Sequence, residues 1–452
     1  MKSSSNILVL LSLGITSTMF GQEMKYSRED TVVRRITLSE ALRIAQNSNF
    51  DVRIADAAKD EASGDFTKSA SAFLPQLSLS ETFVSTNDPL NVFGLKLKQE
   101  RVTSADFNPS VLNGPPSLQN FSTKAEIRQP LFNLDGFFGR HAAARGAEAA
   151  NYKLLRTRNG VELQAKMAYF ALVLARQSLV VIRQELATAE SYRDQTADFF
   201  QQGLIQKSDY LMADVRVLEL KSRKLEAENS ERDAVRTLRY SLGLTDESRI
   251  EPLDTLQLIS GGVPQYDIQE IEGRRSDMLA LQSAIDASAA MANMYRSKFI
   301  PNLNAFASYE LNNDLLAGTK GRNWMIGAML KWDVFTGFDQ VGEIQKSSAQ
   351  HSSLETQYEK MKASAANEIY SAVQTFQSSV QRFALAEASV SQAEEQFRIV
   401  SDRYAQGLER TSDLLRAETT LLSARLDRLN TLFQHSASVF LLEFLLEQKL
   451  TP

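Results

Sequence analysis

Cysteine is missing altogether, which excludes disulfides, thiol catalysis, cysteine-based metal sites and a lipid-modified N-terminal cysteine. Histidine is scarce. His141, His351 and His435 stand isolated on polar helical stretches and read as solvated surface side chains. Phosphate-cradling glycine loops and nucleophile elbows are lacking too, so no catalytic site, cofactor or metal centre is expected. The net charge is −5 and the isoelectric point is near 5.6, with none of the basic stripe that nucleic-acid binding requires. Clusters such as Glu226-Ala227-Glu228 read as solvated helix faces. A mean hydropathy of −0.26 is too polar for a bundle of membrane-spanning helices.

The one strongly apolar run is N-terminal. Lys2 precedes Ile7 to Phe20, a stretch short of the ~20 residues a spanning helix needs. Residues 1–21 are expected to be a signal peptide, with Gly21 at the cut and Gln22 as the first mature residue; the alternative is an uncleaved anchor.

Proline is rare in an informative way. None of the ten falls between 131 and 251 or between 302 and 451. Proline costs a helix interior ~3 kcal/mol or more, so two tracts this free of it invite long helices. In the second tract Ile369, Phe376, Phe383, Val390, Phe397 and Tyr404 recur every seven residues. In the first, Leu172, Leu179, Leu186 and Phe200 keep the same register, with Arg193 interrupting. A period of seven predicts coiled-coil packing. A helix from Leu134 to Phe200 would be roughly 100 Å long.

The two tracts are copies. Phe200-Gln201-Gln202-Gly203-Leu204 and Ser208-Asp209-Tyr210-Leu211 match Tyr404-Ala405-Gln406-Gly407-Leu408 and Ser412-Asp413-Leu414-Leu415 at an offset of 204. Leu211, Leu218 and Leu225 match Leu415, Leu422 and Leu429 at the same offset. This duplication predicts a fold of two equivalent halves: 22–252, a linker at 253–267, and 268–452.

Each half also carries short alternating segments after a proline-marked break, Phe73-Leu74-Pro75 or Phe299-Ile300-Pro301. These segments are Gln76 to Val84, Thr123 to Phe132, Asn302 to Glu310 and Trp324 to Val334, and they read as strands. In the last, Trp324, Ile326, Ala328, Leu330 and Trp332 share a face. Its tryptophans lie about 27 Å apart along a strand, close to the ~25 Å apolar band and aromatic girdles of an outer-membrane barrel. The alternative is a strand of a soluble sheet with two core tryptophans. Ser85 to Ser122 and Leu311 to Asn323 read as hairpin loops, the first much the longer. Four strands cannot close a barrel, and open edges cannot sit in lipid. Two chains would give eight strands around a filled interior; three would give twelve, the smallest multiple that leaves a pore.

With these features in hand, the sequence resembles the TolC family of outer-membrane efflux proteins. The resemblance runs from Ile36-Thr37-Leu38-Ser39-Glu40-Ala41-Leu42, where Thr37 and Glu40 also suit a capping box, through Phe73-Leu74-Pro75, Gln129-Pro130-Leu131-Phe132 and Asp333-Val334-Phe335-Thr336-Gly337, to the two Gly-Leu…Ser-Asp turns. It implies a mixed α and β membrane protein: a homotrimer with a twelve-stranded barrel in outer-membrane lipid, four strands per chain, continued by a periplasmic α-helical coiled-coil barrel. Leu134–Phe200 and Phe338–Tyr404 would be the long helices. Thr37–Ala72 and Ser208–Leu242 would stack end to end against the first, and residues 276–298 and 412–447 against the second. Thr245 to Asp267 would belong to an equatorial belt.

The resemblance also implies sites. Gly203, Leu204, Gly407 and Leu408 fall at hairpin tips that dock a periplasmic adaptor protein, itself joined to an inner-membrane pump. As residues alone, the glycines are left-handed helix ends, and Ser208 and Ser412 cap the next helices, with Asp209 and Asp413 near their positive ends. In the family a tip tyrosine bonds an aspartate of a neighbouring coiled coil, and Tyr404 and Asp209 match those positions. Asp413 matches an inner aspartate ring of the gate. Arg416 stands where a second aspartate would be and Glu409 where a gate arginine would be, departures that bear on cation binding. Trp324 and Trp332 would mark the membrane belt. The implied function is a passive exit duct for efflux or type I secretion; the alternative is a secreted coiled-coil protein without a pore.

Overall fold

The computed structural model describes residues 33–246, 248–259 and 267–450; the expected signal peptide and part of the expected linker lie outside them. In chain order the elements are β1 (Val33–Ile36), α1 (Leu38–Ser48), α2 (Phe50–Ser69), β2 (Gln76–Thr86), α3 (Pro89–Lys98), α4 (Pro109–Asn113), β3 (Leu118–Phe132), α5 (Leu134–Gln201), α6 (Lys207–Ser241), β4 (Arg249–Pro252), α7 (Ile268–Glu272), α8 (Ser276–Ser297), β5 (Asn302–Asn313), β6 (Gly321–Lys331), α9 (Asp339–Ala405) and α10 (Thr411–Leu446).

The long helices, α5 and α9, have 68 and 67 residues. Along α9 the expected heptad residues Ile369, Phe376, Phe383 and Tyr404 are buried. A second seam of small residues, Ala372, Ser379, Ala386 and Ala393, runs beside them. Bulky and small positions thus alternate, which lets α10 approach closely. Along α5 the expected register is buried at Leu172 and Leu179 but surfaces toward the tip, where Phe200 is exposed. The seam that stays buried is Leu154, Val161, Ala168, Ile182, Ala189 and Thr196. An 18-residue stretch of α5 is also apolar, with mean hydropathy 1.5; half of it is buried against the other helices, as a core segment would be.

The shorter helices meet in pairs. Expected as one helix, Thr37–Ala72 is broken at Asn49, whose side chain starts α2 by accepting from Asp51 N at 2.8 Å. The same side chain donates to Ser241 O at 2.8 Å and so joins α6 to the α1–α2 break. Gly243, with φ +70°, ends α6 there, and a Cβ on it would lie 2.2 Å from Ser48 O. In the second set, Glu447 at the end of α10 accepts from Ser276 N at 3.1 Å and from its Oγ at 2.7 Å, joining α10 to α8.

Against α5 and α6 lies a parallel pair, β1 with β4, that the sequence pattern does not announce. The Tyr169 hydroxyl donates to Asp254 Oδ2 at 2.5 Å and lies 3.0 Å from Ile36 O. Asp254 Oδ2 also accepts from Leu38 N at 2.8 Å, which starts α1. Burial first, then the carboxylate, pushes the Tyr169 phenol well above its ordinary range.

The remaining strands form one antiparallel sheet in the order β2-β3-β5-β6. All four long-helix and short-helix connections leave from one end of the sheet, while residues 87–117 and 314–320 connect strands at the other. All four strands differ from expectation: β2 ends two residues later, at Thr86, and β5 three residues later, at Asn313. β3 begins at Leu118, five residues earlier than the alternation suggests. β6 ends at Lys331, so Trp332 lies beyond it, where the indole Nε1 donates to Phe299 O at 2.9 Å. The long loop is not plain coil, since it contains α3 and α4.

Candidate channel wall and hairpin tips

The sheet has two chemically distinct faces. The register sets Glu126 opposite Ser78 and Ser308, Lys124 opposite Ser80 and Glu310, and Ser122 opposite Asn312. The reverse face sets Ile127 opposite Leu77 and Ala307, Ala125 opposite Leu79 and Tyr309, and Tyr309 opposite Trp324. Trp324, Ile326, Ala328 and Leu330 therefore do share the apolar face, and Trp324 is 75% exposed. On the polar face Phe306 covers Gly327, where a Cβ would lie 2.7 Å from the ring. Among the described residues β2 and β6 each pair on one side only.

At the far end of the long helices are two hairpin tips with matching backbones. Gly203 and Gly407 have φ +73° and +72°. Gly203 N donates to Phe200 O at 3.0 Å and Leu204 N to Phe199 O at 2.9 Å; Gly407 N donates to Tyr404 O and Leu408 N to Arg403 O, both at 2.9 Å. This double bond pattern ends a helix with a left-handed residue, where glycine carries no Cβ penalty. A Cβ at either glycine would meet nothing within 4 Å, so conformation alone calls for glycine. Leu204 and Leu408 project outward, 66% and 62% exposed.

The next helices are capped two residues earlier than expected. Gln206 and Arg410 are the cap residues, and Ser208 and Ser412 lie inside the first turn, because the Gln206 and Arg410 carbonyls already accept from Asp209 N and Asp413 N at 3.0 Å. The Asp209 carboxylate accepts from Gln206 N at 3.2 Å. Asp413 is half-buried and Arg416 exposed. Glu409 pairs with Arg403 at 3.1 Å across the second tip.

Tyr404 is buried. Its hydroxyl hydrogen-bonds with Thr196 Oγ1 at 3.0 Å and Thr411 Oγ1 at 3.3 Å. Among the described residues no hydrogen bond joins Tyr404 to Asp209 within the chain. Tyr192 and Ser401 form a second polar link between α5 and α9, 2.7 Å apart.

Farther from the tips sits a buried charged cluster. Glu418 is 0% exposed and Glu185 3%. Arg216 Nε reaches Glu418 Oε1 at 3.4 Å, and Arg425 lies 3.9 Å from Glu185 and 2.9 Å from Glu394. Burial, reinforced by the neighbouring Glu185 carboxyl, pushes Glu418 up to about 7. Glu185 is likewise raised by burial. The signal that could have found Glu185 is positional: it stands three residues after Ile182 and four before Ala189, on the buried face of α5.

His435 also departs from expectation. It is fully buried, with Nδ1 3.0 Å from Ser379 Oγ and Nε2 3.1 Å from Ile259 O. His351 is half-buried beside Ser288. Among the described residues no group of acidic and histidine side chains suits a metal ion.

The sequence profile of outer membrane efflux proteins matches residues 41–244 and 268–444, most of the chain. The chain belongs to the outer membrane efflux protein family. That family is one of channels and transport proteins rather than enzymes, and its place is the outer membrane. A relative, the outer membrane protein TolC of Vibrio cholerae, is 23% identical over 309 residues, a match spanning 66% of this chain and just under two thirds, 65%, of that protein. Among solved structures, a membrane protein from Pseudomonas aeruginosa superposes with TM-score 0.78 at 17% identity, covering 90% of this chain and 92% of its own. The outer membrane channel CmeC of Campylobacter jejuni does so with TM-score 0.76 at 16% identity, covering 92% and 86%. The efflux family's fold thus extends over nearly the whole chain.

Proposed function

We propose that this chain is one third of an outer-membrane export channel: a homotrimer whose three four-stranded sheets close a twelve-stranded barrel in lipid. The observation that carries this reading is the sheet itself. Its apolar face is exposed, its reverse face is polar, and both of its edges want partners. Lipid cannot solvate a strand edge, and a second copy's β6 against β2 supplies one. Three copies leave a water-filled interior lined by the polar face. The long helices continue as a periplasmic tunnel, built from two repeats, 22–252 and 268–452, around an equatorial segment at 253–267. The matching hairpin tips and the paired junctions at Asn49 and Ser276 support that division.

The chain supplies no energy in this account. An inner-membrane pump and a periplasmic adaptor drive cargo into a passive duct. Gly203, Leu204, Gly407 and Leu408 form the adaptor-docking tips, and Asp209, Tyr404, Asp413 and Arg416 line the periplasmic gate. Three-fold symmetry makes each gate side chain a ring of three; Arg416 beside Asp413 reduces the negative charge of such a ring. The test is direct. Detergent-purified protein should run as a heat-sensitive trimer and give discrete conductance steps in planar bilayers. A water-soluble monomer that leaves bilayers intact would sink the proposal.

A further inference from the structure

The long first hairpin loop, residues 87–117, is a folded unit. Asp88 starts α3 by accepting from Asn91 N at 2.9 Å, and Asn108 starts α4 by accepting from Ser110 N at 3.0 Å. Between them Lys96 meets Asp106 at 2.6 Å, and Asp106 Oδ2 accepts from Thr103 N at 2.7 Å. The bond from Lys96 holds the Asp106 carboxyl down at about 2. Phe93 and Phe107 meet edge to face, with centroids 5.7 Å apart. Aspartate or asparagine caps followed by Pro89 and Pro109 at the first helical position explain why these short helices form.

The direction in which the unit leans is informative. The end of α3 holds to β3 of its own hairpin and also reaches across to β5 and β6. Buried Gln99 donates from Nε2 to Gln119 O at 2.8 Å and to Asn120 Oδ1 at 2.9 Å, and Asn120 in turn donates to Asn312 Oδ1 at 2.9 Å. Lys98 pairs with Glu310 at 3.3 Å, and Arg101 with Asp314 at 3.1 Å. The Lys98 carbonyl lies against Gly321 so closely that a Cβ there would stand 1.8 Å away. Asn120, Glu310 and Asn312 all belong to the polar face of the sheet.

Resting on the channel reading above, we propose that residues 87–117 are a lid folded inward over the outer exit of the pore, held to β3 by Gln99 and latched to the far hairpin by Lys98 at Glu310 of β5 and by Arg101 at Asp314 just beyond it. The polar face is the lumen wall, and the lid's anchors lie only on that face, at the end opposite the helices. Two of the three anchors are half-exposed ion pairs, the weak and salt-sensitive kind, so the latch is releasable. The backbone approach at Gly321 sets the closed position.

The absence of cysteine makes the test clean. Ser308→Cys places one thiol on the polar face, and Ala307→Cys places one on the apolar face. Intact cells are treated with a bulky, membrane-impermeant maleimide. Ser308→Cys should label slowly in the otherwise native chain. Labelling should be several times faster when residues 88–116 are replaced by a short Gly-Ser turn, or when Lys98→Glu and Arg101→Glu reverse the latch. Adding Glu310→Lys and Asp314→Arg to the reversed latch should restore slow labelling. Equal rates in all these forms overturn the lid while leaving the channel standing, provided Ser308→Cys still labels faster than Ala307→Cys. If the two thiols label alike, the wall itself is wrong and the lid falls with it. The charge-reversal pair keeps the test decisive if the shortened loop fails to assemble.

Discussion

The Tyr404 hydroxyl stands 3.0 Å from Thr196 Oγ1, so the last turn of α9 is tied to the last turns of α5 inside a single chain. Thr411 at the start of α10 shares the same hydroxyl at 3.3 Å. Three helices from two hairpins thus meet on one buried oxygen. Polar groups buried in this way must be satisfied or they destabilise the fold, and here each is.

Tyr404→Phe keeps the ring against Phe199 and removes the link. Thr196 retains its donation to Tyr192 O at 2.6 Å, so no donor is stranded. The cost is about 1 kcal/mol. Amide hydrogens at both tips should exchange faster, on the order of fivefold, in hydrogen-exchange mass spectrometry, while exchange near Tyr169 stays as it was. Unchanged protection at both tips would refute the tie.

The Glu185–Glu418 cluster predicts a pH dependence with a definite sign. Glu418 is raised from an ordinary 4.5 to about 7 in the folded chain. The folded state therefore binds a proton that the unfolded state releases. The stability this group contributes is fully present below about 4.5 and is lost as pH rises through about 7. Glu418→Gln, which cannot ionise, should flatten the melting temperature between pH 5 and pH 8 and gain most over the native chain at pH 8. Parallel melting curves for the two proteins would rule this out.

The tips separate folding from docking. Gly203→Ala and Gly407→Ala each force a side chain into the left-handed region at about 1 kcal/mol, and Asn in place of Ala should recover part of that loss. Leu204→Asp and Leu408→Asp remove exposed side chains and should leave stability within about 0.5 kcal/mol. All four variants should still insert in the outer membrane. Export, followed as accumulation of a cargo dye in cells, should fall in both leucine variants. Full export by the leucine pair would remove the docking assignment.

Trp324 and Trp332 are the two tryptophans of the chain, which makes fluorescence site-specific. With Trp332→Phe, the remaining Trp324 should be quenched by lipids brominated on their acyl chains. With Trp324→Phe, Trp332 should respond instead to quenchers near the headgroups, because its indole is anchored to Phe299 at the strand–helix junction. Quenching of Trp324 by aqueous iodide but not by lipid would turn the apolar face away from the membrane.

Much of this fold was legible because periodicity reports burial. The proline-free tracts predicted helices at Leu134–Phe200 and Phe338–Tyr404, and the structure has Leu134–Gln201 and Asp339–Ala405. Period-two alternation found all four strands of the sheet. The parts that stayed hidden are decided by partners distant in sequence. Val33–Ile36 is too short and too charged to look like a strand until Arg249–Pro252 lies beside it. Asn49 looks like any polar helix residue until Ser241 meets it. Glu185, Glu418 and His435 are side-chain types that usually face water, and only the register of packed helices turns them inward. For α3 and α4 the cap-and-proline signals were present at Asp88-Pro89 and Asn108-Pro109, but the loop's overall composition masked them.

The unpaired outer edges of β2 and β6 bear on assembly order. A solitary copy carries two rows of unmet amides and carbonyls that hydrocarbon would punish heavily. Under the proposed trimer, entry into the bilayer is a collective event: sibling copies would gather in the aqueous compartment first, their helices holding them in register, and only a completed ring would go in.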